Sequence, residues 1–308
     1  MKKSTLALAI MAVLGSGIAV AGIDGGTSKV SKVDIGPSNH SMFGDGYAGL
    51  ALNGADTRID LAGGPIKGSN AAIAARGNGT ILKPADMGMP ALPINVAQVW
   101  KDTATVSNGS NDANFAINSV RQITTLAIAP QFGGLVIGQV ADASGAPLAV
   151  GNGVYFGEWA PRAAGTPPLD STDLNMTSSD RTVWYVGDNA VTAMPTAVNA
   201  TYGVIGINGV GTAAGGTPDN PNLYTGQLTA NYGVGTSNSI SGTIDRGSDS
   251  IDFSGTGINS NGAFSNNSTI NGHFYNGANE LAGIYTGAAG VADDVAFGGS
   301  KISGTITP

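Results

Sequence analysis

From residue 196 onward the chain is a train of short alternating segments separated by explicit turns, and this constrains its fold more than any other feature. Segments at 200–208, 223–232, 238–245, 250–257, 262–265, 268–275, 281–286 and 294–303 read as strands. The turns between them use residues that tolerate tight or left-handed backbone: Asp245-Arg246-Gly247-Ser248, Asn259-Ser260-Asn261-Gly262 and Asn276-Gly277-Ala278-Asn279. Ile251 and Phe253 alternate with Asp252 and Ser254, which puts one set in a core and the other in water. Eight strands of this length predict a small closed up-and-down barrel, which leaves no sheet edge unpaired. The 48 glycines among 308 residues fit such turn-dense β-structure better than disorder, since apolar residues make up 42% of the chain.

The N-terminal part is less regular. Tyr47–Asn53 and Thr57–Leu61 read as strands, and residues 84–93, with three prolines, read as a loop. Leu135–Val140, a turn at DASGAP, Gly153–Trp159 and Thr182–Val186 are clearer strands, with a Pro- and Ser-rich loop over 160–180. Residues 112–129 hold the best helical pattern, because Phe115, Ile117, Val120, Ile123 and Leu126 come close to sharing one face and Asp112 stands where a cap would; their Val, Ile and Thr content suits a strand pair nearly as well. The fold class is therefore mainly β: a β-rich N-terminal region with little helix over 22–195, then an eight-stranded antiparallel β-barrel over 196–308.

Lys2 and Lys3, the apolar run from Leu6 to Val20 and the small residues Ala19 and Ala21 read as a cleaved signal peptide over 1–21. The chain has no cysteine, so neither disulfides nor a lipid-modified cysteine is available, and a secreted, extracellular product is expected. No later stretch reaches the ~18 apolar residues of a membrane helix, so no membrane insertion is expected. A net charge of −7 without a basic cluster argues against nucleic acid as partner.

Enzyme chemistry finds little purchase. There is no cysteine nucleophile, no G-x-S-x-G elbow and no H-E-x-x-H motif. The run Gly203–Gly211 precedes no helix pattern and is no dinucleotide fingerprint. A binding protein, not an enzyme, is expected.

Residues 271–286 (NGHFYNGANELAGIYT), followed by Ala296-Phe297-Gly298-Gly299-Ser300-Lys301, resemble the last hairpin of barrels in the transferrin-binding-protein-B-like superfamily. Gly272, Phe274, Tyr275, Ala278, Glu280, Leu281 and Gly283 match the motif in kind, while Asn276 replaces its usual glycine. Residues 223–242 are similar to that family's opening hairpin. The absence of a lipid-bearing cysteine and the order of the two regions resemble the hemophilin branch, in which an N-terminal handle binds haem and a single barrel follows. Val154–Trp159 and Val183–Gly187 also resemble the end of such a handle. The resemblance implies export through a Slam-type outer-membrane translocon, and haem delivery to a TonB-dependent outer-membrane receptor. It equally accommodates a Slam-exported host-interaction factor that binds a host protein or surface without a cofactor. A fimbrial or adhesin-like subunit is a third reading of the Gly, Asn and Thr content.

Haem needs an axial ligand and an apolar slot. The two histidines are His40, in the Gly-flanked stretch PSNHSMFG, and His273, in the barrel motif. His40 is the candidate metal ligand, with Met42, Phe43 and Tyr47 as haem-binding neighbours; a solvated loop histidine is the plain alternative. His273 is expected to point out of the barrel as a surface residue, or to serve as a second ligand across the domain junction. Tyr155 is a further oxygen donor, and Met87 and Met89 are soft ones. Phe43, Ile66, Leu82, Trp100, Phe115 and Leu126 are candidates for an apolar pocket or for the handle's own core, and Arg76 and Lys83 for haem propionates.

Overall fold

Val183, Trp184, Tyr185 and Val186 are all buried, yet successive strand side chains point to opposite faces. The strand that carries them must be covered on both sides, and the architecture is built around that demand. The computed structural model describes residues 22–125, 132–165, 168–235, 237–267 and 269–308; the signal peptide expected at 1–21 and Leu126 lie outside them.

The chain opens with β1 (Asp24–Thr27) and an antiparallel meander of β2 (Val33–Pro37), β3 (Ala48–Leu52) and β4 (Ile59–Asp60). A π-type turn at Ala62–Ile66 runs into the helix α1 (Lys67–Arg76). There follow β5 (Thr80–Leu82), β6 (Ala97–Ser107), β7 (Asp112–Gln122), β8 (Gly134–Ala141), β9 (Val154–Ala160) and β10 (Thr182–Gly187). Together with β1 these six form a seven-stranded antiparallel sheet in the order β1-β10-β9-β8-β7-β6-β5.

The helix expected within 112–129 is instead β7. It pairs with β6 from Ser107↔Asp112 to Ala97↔Gln122. The turn is set by Asn108, whose Oδ1 accepts the backbone N–H groups of Ser110 and Asn111 at 3.0 and 2.9 Å. Phe115 and Ile117 face one side and Val120 the other, so an apolar pattern that mimics a helical face comes from a strand buried on both faces. The helix that does form, α1, carries no apolar stripe. It buries Gly68, Ser69 and Ala72, and at Gly68 an added β-carbon would sit 3.0 Å from Met87 Cγ. Small residues bring it close to its neighbours, a contact mode that leaves no hydrophobic periodicity.

The barrel comprises β11 (Ala197–Ile207), a two-residue-per-strand hairpin of β12 (Gly216–Thr217) and β13 (Asn220–Pro221) standing outside the main sheet, then β14 (Tyr224–Tyr232), β15 (Ser239–Arg246), β16 (Asp249–Asp252), β17 (Thr256–Ile258), β18 (Ala263–Asn266), β19 (Ile270–Tyr275), β20 (Glu280–Tyr285) and β21 (Val295–Thr307). β14 pairs with both β11 and β15, which closes the cylinder. β16 and β17 both pair with β15, through Ile244↔Ile251 and Ile240↔Thr256, and so share one stave broken near Phe253. The barrel therefore has the eight staves that the sequence predicts. Its interior is filled by side chains, among them Tyr202, Leu228, Ile240 and four phenylalanines. Phe253 meets Phe297 edge-on at 5.0 Å between ring centroids, and Phe264 meets Phe274 at 5.3 Å. Offset ring contacts of this kind fill the tapering space and leave a packed core in place of a lumen.

The seven-stranded sheet is the middle layer of the protein. Tyr155, Trp159, Trp184 and Val186 pack on one face against Leu50, Leu61, Ile66 and Ala72 of the meander and helix. Phe115, Val136, Phe156, Val183 and Tyr185 pack on the other against Ile205, Ile207, Ala282, Ala296 and Ile302 on the barrel's outer wall. Glycines in that wall permit the approach. A β-carbon on Gly298 would lie 2.3 Å from the Phe156 ring, and one on Gly203 would lie 2.8 Å from Ala113 Cβ. Each large apolar side chain buried here contributes roughly 1.5–3 kcal/mol, so barrel and sheet form a continuous packed body.

Candidate functional site

The candidate residues His40, Met42, Phe43 and Tyr47 all lie on the loop between β2 and β3. The backbone N–H groups of Asn39 and His40 both donate to the carbonyl of Arg58 at 3.0 Å, and Asp60 N–H donates to the carbonyl of Phe43 at 2.6 Å. Ser38 Oγ accepts from the N–H groups of Asp45 and Gly46. Arg58, which anchors the loop, is held in turn by an ion pair with Asp34. The sequence folds this way locally because Gly44 turns so tightly that a β-carbon there would lie 2.4 Å from His40 N.

Within this loop the His40 imidazole stacks on the Phe43 ring at 5.5 Å and 23°. Both are half-buried, whereas the Met42 side chain is 63% exposed. His40 Nδ1 accepts the backbone N–H of Met42 at 3.2 Å. The neutral ring then carries its proton on Nε2, and coordination through Nε2 requires a tautomer change that breaks this hydrogen bond. The structure thus brings His40 and Phe43 together. It sets Tyr47 apart, against Gly151 of the β8–β9 connection, where an added β-carbon would meet the Tyr47 ring at 3.7 Å.

His273 lies elsewhere. It points out of the barrel as expected, but it is not a surface residue: only 5% of it is exposed, because the segment after β10 lies over it. Its Nε2 is 2.9 Å from the Val191 carbonyl, which can only accept, so Nε2 carries a proton. Its Nδ1 faces the Asp24 carboxylate at 3.3 Å. Both ring nitrogens therefore address protein acceptors, and His273 fastens the barrel to the N-terminal region.

The other candidates disperse. Ile66 and Leu82 belong to the helix-side core, and Trp100 and Phe115 to the barrel-side core, so these residues do not line one pocket. Arg76 pairs with Asp86 at 2.6 Å. Tyr155 is buried, and desolvation pushes its hydroxyl well above the ordinary range. Among the described residues, no group of three or more Asp, Glu, His or Cys side chains has metal-binding geometry.

The sequence reading passed over the junction between the β8–β9 connection and the turn from β19 to β20. Asn276, Gly277 and Ala278 in that turn all take positive φ, at 53°, 66° and 71°, and Ala278 is an uncommon residue for that conformation. The Ala278 carbonyl is held by the Tyr202 hydroxyl at 2.5 Å. Asn276 bridges the two regions: its Nδ2 donates to the Asn152 carbonyl at 3.0 Å, and its Oδ1 accepts from Asn189 at 3.0 Å. A cleft of about 220 Å³ opens beside this bridge, with Glu280 in its wall. Burial raises the Glu280 carboxyl to about 7, against a partial offset from an Asn276 hydrogen bond. Asp188 supports the neighbouring loops by accepting the Ala48 N–H at 2.8 Å, and burial, reinforced by nearby Asp60, lifts its carboxyl to about 6. The motif residues Asn276 to Glu280 were visible in the sequence, but their proximity to Asn152 is a matter of tertiary packing.

No family model matches the chain. Among solved structures it is similar to HpuA from Kingella denitrificans in complex with human haemoglobin, at 16% identity over 67% of this chain and 84% of that one, with a TM-score of 0.32. It is also similar to the apo haemoglobin receptor HpuA from Kingella denitrificans, at 14% identity over 70% of this chain and 94% of that one, TM-score 0.30. Intact Ap-TbpB, with its N and C lobes, matches at 13% identity over 70% of this chain and 48% of that one, TM-score 0.31. Values this low leave the functional reading to the chain's own residues.

Proposed function

We propose that this chain is a secreted, non-enzymatic binding protein of iron acquisition, a haem scavenger that engages its ligand through the loop between β2 and β3. The observation that carries the reading is the juxtaposition of a half-buried, stacked His40–Phe43 pair with an exposed Met42 on one tethered loop. An imidazole beside flat and flexible apolar groups suits one face of a porphyrin. Haem binding would require the loop to release the Met42 N–H from His40 Nδ1 and to open enough to admit the macrocycle. The barrel, whose interior is filled, serves in this reading as the export element addressed by a Slam-type translocon, and the loaded protein hands haem to a TonB-dependent receptor. Haem titration of the secreted protein should give a Soret band that His40→Ala abolishes or shifts. A flat titration removes haem from the account.

The second reading is an exported factor that binds a host protein or surface without a cofactor. It is favoured by the engaged state of His40 Nδ1 and by the exposed apolar side chains Met42 and Val150, the latter 83% exposed, on two loops that meet where Tyr47 touches Gly151. A protein that ignores haem but is captured by serum proteins only while Met42 and Val150 are intact would support this reading.

A further inference from the structure

Glu280 is 8% exposed, and its Oε2 has no hydrogen-bond partner. A buried carboxyl oxygen left without a donor costs on the order of 1–3 kcal/mol or more, and neither the barrel core nor the His40 loop accounts for it. Glu280 lines the 220 Å³ cleft together with Asn152, Asn276, Asn279, Ser300 and Lys301. Several of these groups have unspent hydrogen-bonding capacity. The Asn152 Oδ1 accepts from Asn189 at 3.4 Å, but its amide nitrogen has no partner among the described contacts. The Asn279 Nδ2 donates to the Asn276 carbonyl at 2.8 Å, which leaves Asn279 Oδ1 open. The Lys301 ammonium and the Ser300 hydroxyl make no hydrogen bond or ion pair among the described residues. The left-handed turn that presents Asn276 and Asn279 is fixed from below by the Tyr202 hydroxyl, so the polar groups are held in place before any ligand arrives.

The cleft therefore offers acceptors and donors side by side, with one carboxyl, one ammonium and otherwise neutral amides and a hydroxyl. An inorganic anion would face Glu280, and a metal cation would face Lys301. A zwitterion would leave most of the amide groups unused. A ligand studded with hydroxyl groups, each donating and accepting, satisfies them all. The volume lies below the roughly 300 Å³ at which drug-sized sites begin, which suits a single ring. Leu148 adds one apolar wall for the C–H edge of that ring. We propose that this cleft binds one sugar residue, with Asn279 Oδ1 accepting from its hydroxyls, Lys301, Asn152 and Ser300 donating to it, and the Glu280 side chain forming part of the wall behind them. The sugar comes either from free hexose or from the terminus of a surface glycan.

The test uses the secreted full chain in two arms: saturation-transfer NMR with a panel of free hexoses and hexosamines, and a glycan array. Each arm is repeated with Lys301→Ala and Asn279→Ala, which alter groups at the cleft mouth. Saturation transfer to a free sugar, weakened about tenfold by Lys301→Ala as expected for loss of a charge-assisted hydrogen bond, supports the proposal. Array binding with the same Lys301 dependence supports it and identifies a glycan terminus as the source. Silence in both arms, sugar binding indifferent to both substitutions, or transfer to free amino acids in place of sugars overturns it. Haem titration of the same variants should be unchanged, so this outcome and that of the His40 experiment are read separately.

Discussion

Glu158 and Arg181 form a wholly buried ion pair, 2.7 Å apart, with side-chain exposures of 0% and 2%. Both belong to the N-terminal region, yet their remaining valences are spent on the barrel. Glu158 accepts the N–H groups of Gly209 and Val210 at 2.8 and 2.7 Å, and Arg181 donates to the carbonyls of Asp294 and Val291. Asn208 extends the network, donating to Ala292 and Asp294 and accepting from Arg246, which lies over the Tyr224 ring. A buried pair is stabilising only when such extra bonds offset its desolvation. Removing one partner strands the other: Arg181→Met should cost about 3–5 kcal/mol in denaturant unfolding. A cost below ~1 kcal/mol would mean that apolar packing alone holds the two regions together.

The contact between Gly298 and Phe156 offers a second measure of that packing. The Phe156 ring occupies the space that a β-carbon on Gly298 would need. Gly298→Val should destabilise the protein by about 1–3 kcal/mol or more through overpacking. Phe156→Ala alone should cost about 3–5 kcal/mol, and the double variant should cost less than the sum. Additive costs in a double-mutant cycle would show that the two sites do not touch in solution.

Glu280 and Asp188 make stability depend on pH between the acid range and neutrality. Both carboxyls hold their proton more tightly in the folded chain, at about 7 and about 6, than at their ordinary values of 4.5 and 3.8. The folded state therefore binds more protons. Their contribution to stability is fully present below about pH 4, falls as pH rises through 7, and levels off above it. Glu280 alone accounts for a decline on the order of 3 kcal/mol. Thermal unfolding between pH 5 and pH 8 should show a lower melting temperature at the alkaline end, and Glu280→Gln should flatten the slope. A melting temperature that climbs with pH over this interval would contradict the burial of these acids.

The two histidines should separate cleanly. His273→Ala removes a buried hydrogen bond to Val191 and should destabilise the fold by about 1–3 kcal/mol without changing any haem spectrum. His40→Ala lies on a surface loop and should change stability by no more than about 0.5 kcal/mol while altering haem binding. A spectrum sensitive to His273→Ala at constant stability would restore that residue as a ligand.

The barrel was legible because the strands away from the middle sheet, β14 to β18, keep one face toward water. Ile251 and Phe253 alternate with Asp252 and Ser254 in the sequence, and Ile251 and Phe253 are buried in the structure. The middle sheet was harder to read because it has no such face. Phe115, Ile117 and Val120 are all buried, and a strand apolar on both sides imitates a helix. The opposite error hid α1, whose buried positions are Gly68, Ser69 and Ala72. The scarcity of histidine singled out the His40 loop as a candidate. The cleft around Glu280 could not, since Asn152 and Glu280 are far apart in the chain and meet only when the barrel docks on the sheet.

The double-sided sheet has a consequence for the order of assembly. Phe156 and its neighbours are sheltered by Ala296, Gly298 and Ile302 on β21, which is synthesised long after the sheet it covers. Until that segment arrives, a broad greasy flank of the earlier half has no shelter and the cylinder lacks its final stave. A nascent chain of this design should therefore stay loose until β21 has been made, when both halves can lock in one cooperative step.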